Sequence, residues 1–249
     1  MLELEYNNDE YADTMTMAMN MANRTVNGVP VEAILKPIEM NEELVQRIAH
    51  RKVKVPEIAI VEPDPQWLDH FETFRSRILA AFEPPKNEDD PQEGADNASR
   101  VTILSVNHVG STSVPNLPAK AVIDIDLVLS SNTLSSETFY VPRLEAAGFQ
   151  FLLREPEWHG HRFLVASEPM SCNLHVFGPQ CAEVERHRIF RDWLQQHDDD
   201  RELYARTKRD AAAISREKGE PVMGYTVRKD EVIRRIMTRA FTELGYLSG

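Results

Sequence analysis

The segment Ala121–Leu129, AVIDIDLVL, constrains this chain more than any other. A run this apolar and β-branched favours a strand, and strand side chains alternate between two faces. Ala121, Ile123, Ile125, Leu127 and Leu129 then share one face, and Val122, Asp124, Asp126 and Val128 share the other. Two carboxylates side by side on a largely apolar strand are costly unless a counter-charge accompanies them. Hard cations such as Mg²⁺ suit an all-oxygen environment and clamp phosphates in phosphoryl or nucleotidyl transfer. Asp124 and Asp126 are therefore candidate catalytic residues and a candidate metal site. The competing reading is a strand end with both acids in solvent.

Upstream stands His108-Val-Gly-Ser-Thr-Ser113, a turn that closes a second predicted strand, Val101–Val109. Gly110 permits close backbone approach, and Ser111, Thr112 and Ser113 add hydroxyls to the backbone N–H groups of an anion cradle. A serine-rich turn alone is common. The spacing adds weight, because twelve residues separate Gly110-Ser111 from Asp124.

The surrounding pattern supplies the rest of the domain. A helix is predicted from Pro65 to Phe82, with Asp64 as N-cap and Trp67, Leu68, Phe71, Phe74, Ile78 and Leu79 as its apolar face. A shorter helix is predicted from Asn41 to about Lys52, before Pro56. Further strands are predicted at Phe149–Leu153, His161–Ser167 and Cys172–Phe177. On the last, Asn173 and His175 point to one side. The C-terminal third reads as three helices, Val184–Gln196, Asp199 to about Lys218, and one from Tyr225 or Thr226 to Gly245. Residues 1–56 read as an extension with a methionine-rich stretch at Thr14–Met21, and residues 57–249 as the domain. Residues 83–99 read as an acidic, mobile insert.

Charge limits the partners. The net charge is -12 over 249 residues, against indiscriminate nucleic-acid binding and in particular DNA. Between Arg186 and Arg239, however, 14 Lys/Arg face 10 Asp/Glu, so a basic face there is hidden by the average. Arg191, Lys208, Arg209 and Lys229 are candidates to hold a phosphate backbone, and Lys120 to reach a phosphate. Each also reads as an ordinary surface charge. His108 and His175 are candidate ligands or general bases, or satisfied structural histidines. Neither a membrane span nor a secretory signal is expected, and Cys172 and Cys181 read as reduced thiols, so the expected address is cytoplasmic.

The Gly110-Ser111 turn followed by Asp124-Ile-Asp126 resembles the signature of the polymerase-β-like nucleotidyltransferase superfamily. The segments IVEPDPQWLDHFE, VNHVGSTSVPNLPAKAVIDIDLVL, LEAAGF, NLHVF, FRDWLQQH, LYARTKRDAA and GYTVRKDEVIRRI resemble the GrpB-like family, in that family's order, over roughly residues 57–245. The resemblance implies an α/β nucleotidyltransferase fold, a mixed sheet flanked by helices. It departs where the superfamily has a third carboxylate on a later strand. Here the Asn173–His175 face offers an imidazole, which leaves one Mg²⁺ plausible and a two-metal site in doubt. The insert and the extension depart from compact bacterial members and give a fungal look. Fungal proteins with this domain include arginine-containing cyclodipeptide synthases, associated with a DDxxE motif. Asp198-Asp199-Asp200-Arg201-Glu202 fits it. Asp198, Asp199 and Glu202 are thus candidate catalytic residues, with Asp198 and Glu202 on one helix face able to hold a guanidinium. Acids at a helix start are also favoured by the dipole alone. The resemblance implies a synthase that condenses arginyl-tRNA with a second aminoacyl-tRNA into a diketopiperazine. A Mg²⁺-dependent nucleotidyltransferase on a small molecule and a non-catalytic nucleotide- or RNA-binding module are the alternatives.

Overall fold

The computed structural model describes residues 24–39, 41–53, 55, 57–84 and 101–247. The methionine-rich stretch, Pro56 and nearly all of the acidic insert lie outside them. The central element is β5 (Ile123–Leu129), in a six-stranded sheet. Its partners are β3 (Gln46–Arg47), β4 (Ile103–Val109), β6 (Gln150–Glu155), β7 (His161–Ala166) and β8 (Cys172–Phe177), in the order β3-β6-β7-β8-β5-β4. Only β5 and β8 run parallel; the other pairs are antiparallel. β5 and β8 are thus joined by an excursion through β6 and β7.

The alternation expected of β5 holds. Ile123, Ile125, Leu127 and Leu129 are fully buried against α2 (Gln66–Ala81) and α3 (Glu137–Ala146). From α2 come Trp67, Phe71, Phe74 and Ile78, at helical spacing. Each contributes about 2 kcal/mol by leaving water. Asp64 caps the helix, its Oδ1 accepting from the Gln66 N–H at 2.9 Å. Leu68 and Leu79 are exposed rather than core, because the stripe that meets the sheet is narrower than the sequence face. α3 was not anticipated. Pro142 lies inside it, yet Tyr140 and Leu144 are completely buried beneath it.

The opposite sheet face is covered by α4 (Ala182–Gln196), α5 (Asp198–Glu217) and α6 (Val222–Glu243), near their expected bounds. Their core joins Ile189, Trp193, Tyr204, Ile236, Met237 and Phe241. The extension is not a detached tail. A hairpin of β1 (Thr25–Val26) and β2 (Val29–Pro30) leads into α1 (Val31–Leu35), and Val29, Val31 and Ile34 are buried in that second core. The helix expected at 41–52 is replaced by a single 3-10 turn, Glu42–Leu44, and by β3. Asn41 does cap the turn, accepting from the Glu43 N–H at 3.0 Å. The backbone that follows finds its partners on the edge of β6, which an isolated polar helix could not match.

Candidate functional site

Asp124 and Asp126 point to the helical face of the sheet, and they meet different surroundings. Asp124 lies opposite Asn173, and Asp126 opposite His175. Asn173 Nδ2 donates to Asp124 Oδ1 at 2.8 Å. The Gly110 turn packs straight onto this carboxylate: a Cβ on Gly110 would sit 2.5 Å from Asp124 Oδ2. Gly110 also has φ +69°, so only glycine meets both demands. Burial pushes the Asp124 carboxyl above its ordinary range, opposed by the Asn173 hydrogen bond and by the charges of Lys120, His187 and Lys229.

Two lysines are brought to this carboxylate, one by a helix and one by the loop before β5. Lys229 of α6 lies with its Nζ 4.3 Å from the Tyr225 ring centre, and Lys120 approaches the same ring at 5.7 Å. Burial lowers both ammonium pKa values, while Asp124 raises them. Lys208 of α5 is almost completely buried over Tyr204 and donates to the Pro118 carbonyl. Burial, then repulsion from Lys229 and Arg209, pulls its pKa down to about 6. Tyr204 lies beside Ser111, which sets α5 against the turn. Gly110, Ser111, Lys120, Asp124 and Lys229 thus come together at the end of the sheet where β5 begins, with Lys208 buried behind them.

The rest of the turn is internal scaffolding. Ser113 Oγ donates to the Gly110 carbonyl at 2.6 Å, and buried Thr112 Oγ1 to the Val122 carbonyl at 3.1 Å. His108 falls on the other sheet face, stacked 4.7 Å from Phe71. Burial, then the Arg191 charge, holds its pKa at about 4, so it is neutral. Arg191 is occupied by Asp192 and by the His108 carbonyl.

Asp126 is fully buried and holds a partner the sequence reading missed. His187 of α4 places Nδ1 2.9 Å from Asp126 Oδ2, with Glu183 at 3.5 Å from its other nitrogen. Burial works against the imidazolium, but Asp126 outweighs it and lifts the pKa to about 9. His175 is engaged elsewhere: its Nδ1 lies 3.0 Å from His161 Nε2, and His161 Nδ1 lies 2.6 Å from Glu155. Burial first, then neighbouring charges, takes both rings down to about 3. The signal for His187 was its i, i+4 relation to Glu183, which says nothing of a strand 61 residues away.

This donor set suits Mg²⁺ poorly. One oxygen of Asp126, Oδ1, has no partner among the described residues. The other is paired with an imidazolium, and Asp124 is shared among Asn173, the glycine turn and lysines. Among the described residues there is no group of three His, Cys, Asp or Glu placed to hold a metal ion.

The acidic cluster begins α5, about 15 Å along the helix from Lys208. Asp200 is the buried member. It accepts from Trp193 Nε1 at 2.7 Å and from Arg239 Nε at 3.0 Å. Asp198 and Glu202 keep 84% and 71% of their side chains exposed and pair with Arg201 and Arg206 on their own helix. A pocket of about 1070 Å³ opens here, lined by Trp193, His197, Asp198, Asp199, Arg239 and Glu243. Asp200 lines it as well, and Glu202 alone of the motif's acids does not.

The model of the family described as GrpB protein matches residues 57–239. This chain belongs to the GrpB family. A UPF0157 protein of Halalkalibacterium halodurans is 37% identical over 183 residues, 74% of this chain and 82% of that protein. A UPF0157 protein of Streptomyces coelicolor is 35% identical over 184 residues, 74% and 84%. The crystal structure of the conserved protein GrpB from Enterococcus faecalis shares the fold, with a TM-score of 0.56 and 21% identity over 75% of this chain and 99% of that one. The mixed sheet with helices on both faces and a helical C-terminal part is therefore the GrpB arrangement. Among the described residues no helix is long and apolar enough to cross a membrane.

Proposed function

We propose that this GrpB chain is a group-transfer enzyme that binds a phosphate- or nucleotide-bearing substrate at the Gly110 turn. One observation carries the reading: Lys120 and Lys229 converge on the single carboxylate of Asp124, beside a turn that only glycine can make. The paired lysines suit a phosphate, and the turn brings backbone within reach of it. The lysines stabilise charge that grows on the transferred group. Asp124, with its raised pKa, is suited to take a proton from an attacking hydroxyl or amine. A cytoplasmic address fits such substrates. The test is release of pyrophosphate from each of the four ribonucleoside triphosphates, with and without Mg²⁺. Loss of turnover in Asp124→Asn supports the reading, and unchanged turnover refutes it.

A second reading is favoured by the acidic pocket at the start of α5. An arginine-containing cyclodipeptide synthase needs a site for a guanidinium and a site for the phosphate-bearing end of charged transfer RNA. Asp198, Asp199 and Glu243 around the pocket fit the first, and the Gly110 turn with its lysines fits the second. The α-amine of one aminoacyl residue attacks the ester carbonyl of the other and displaces its transfer RNA. A second attack closes the ring and frees the remaining transfer RNA. The esters are already activated, so no nucleotide is consumed. Incubation with arginyl-tRNA and a mixture of aminoacyl-tRNAs, read by mass spectrometry, gives an arginine diketopiperazine under this reading and none otherwise.

A further inference from the structure

We propose that Arg51, delivered by the segment that precedes the family domain, is a ligand for the anionic part of the substrate. The inference rests on the phosphate-binding reading of the Gly110 site and adds to it a residue outside the span that the family model matches.

The placement begins at the sheet edge. After β3 the chain stays pinned to β6: the Ile48 N–H donates to the Leu152 carbonyl at 2.8 Å, and the Lys52 N–H to Gln150 Oε1 at 2.8 Å. Gln150 Nε2 donates back to the His50 carbonyl at 2.8 Å. Residue 51 is thus held by a hydrogen bond on each side. Gln150 begins β6 and faces the end of β7, and β8 and β5 both begin at that same end of the sheet. Downstream, Val61 bridges Ala119, and Ile58 and Ile60 pack with Ala211, Ala212 and Tyr225. The chain therefore crosses the end of the sheet where Asp124 lies, between one fixed anchor and another.

Arg51 sits within that crossing. Its Nε and Nη2 are buried and have no hydrogen-bond partner among the described residues. Its charge is close enough to Lys120 to repel it, as that of Lys229 is too. Burial pulls the guanidinium pKa down. Buried donors are nearly always satisfied, and a buried cation beside further cations is doubly unfavourable. The three cations Arg51, Lys120 and Lys229 outnumber the two carboxylates beside them, Asp124 and, next to Lys229, Asp230. An anion of two or more negative charges relieves both the repulsion and the unmet donors. The planar fork of arginine matches a phosphate with two parallel hydrogen bonds, which a lysine cannot supply.

Inorganic pyrophosphate is the probe, titrated calorimetrically into the full chain at two salt concentrations. Wild type should bind, Arg51→Gln should bind about ten- to a hundred-fold more weakly, and Arg51→Lys should fall between them with the salt dependence kept. Lys229→Gln serves as the comparison within the family domain. If wild type binds, Lys229→Gln loses affinity and neither Arg51 variant does, this inference is overturned while the phosphate site stands. If wild type does not bind, the phosphate-site reading itself falls and this inference with it. Arg51 lies on a segment that contributes no side chain to either large core, so Arg51→Lys keeps the measurement available should Arg51→Gln fold poorly.

Discussion

Replacing His187 with alanine tests the electrostatics of the buried strand most directly. Asp126 is 0% exposed, one of its oxygens has no partner among the described residues, and the other is held by His187 at 2.9 Å. The His187 pKa rises from 6.5 to about 9, which corresponds to about 3 kcal/mol of stability. Because the folded pKa is the higher one, this contribution is complete below pH 6.5 and is lost as pH rises through 9. Urea denaturation of wild type and His187→Ala from pH 5.5 to 10 should therefore give a gap of about 3 kcal/mol at pH 6. The gap should narrow to about 1 kcal/mol by pH 10, where a neutral imidazole still donates its Nδ1–H. In the Asp126→Asn background the His187 substitution should cost far less, since the charge it compensates is gone. Parallel pH profiles, or a gap below 1 kcal/mol at pH 6, would refute the ion pair.

Other substitutions separate scaffold from site. Gly110→Ala forces a positive φ and a clash with Asp124, so it should cost about 2–4 kcal/mol by thermal denaturation and abolish pyrophosphate binding. His108→Leu removes the 3.0 Å hydrogen bond between His108 Nε2 and buried Thr112 Oγ1 along with the stack on Phe71, so it should cost about 1–3 kcal/mol, measured by denaturation. Lys208→Met should stabilise the protein at pH 7. A lysine whose folded pKa is about 6 holds fewer protons folded than unfolded, so wild-type stability should rise between about pH 6 and 10 and that of the variant should not. Asp200→Ala should cost about 3–5 kcal/mol in chemical denaturation, whereas Asp199→Asn and Glu202→Gln should change stability by less than about 0.5 kcal/mol.

What was legible in the sequence follows from what local pattern encodes. The period of two in β5 and of 3.6 in α2 and α4–α6 is set by which residues must be buried, so those elements were readable. The segment 41–52 was not: its acids and bases suit the two ends of a helix, but the edge of β6 offers hydrogen bonds that no local rule reveals. α3 hid behind Pro142. At the site, Gly110 and Asp124 were readable because both belong to one strand-turn unit. His187 and Arg51 were not, because each reaches the site from an element 60 or more residues away in sequence. His108 failed for a simpler reason. It is adjacent to the turn in sequence, but an odd number of residues along β4 sends it to the opposite face.

The acidic cluster shows how a motif and a site can diverge. Its spacing places acids at the start of a helix, where the dipole favours them whatever their role. The geometry then divides them: Asp200 turns inward to hold Trp193 and Arg239, while Asp198 and Glu202 stay in solvent. A guanidinium entering the adjacent pocket would meet Asp198, Asp199 and Glu243, and Glu243 comes from α6 rather than from the motif. Under the synthase reading, Glu243→Gln should therefore lower the yield of arginine diketopiperazine more than Glu202→Gln does. The comparison is read by mass spectrometry with the same charged transfer RNAs. The reverse order would show that arginine is held along the exposed face of α5 and that the pocket is not its site.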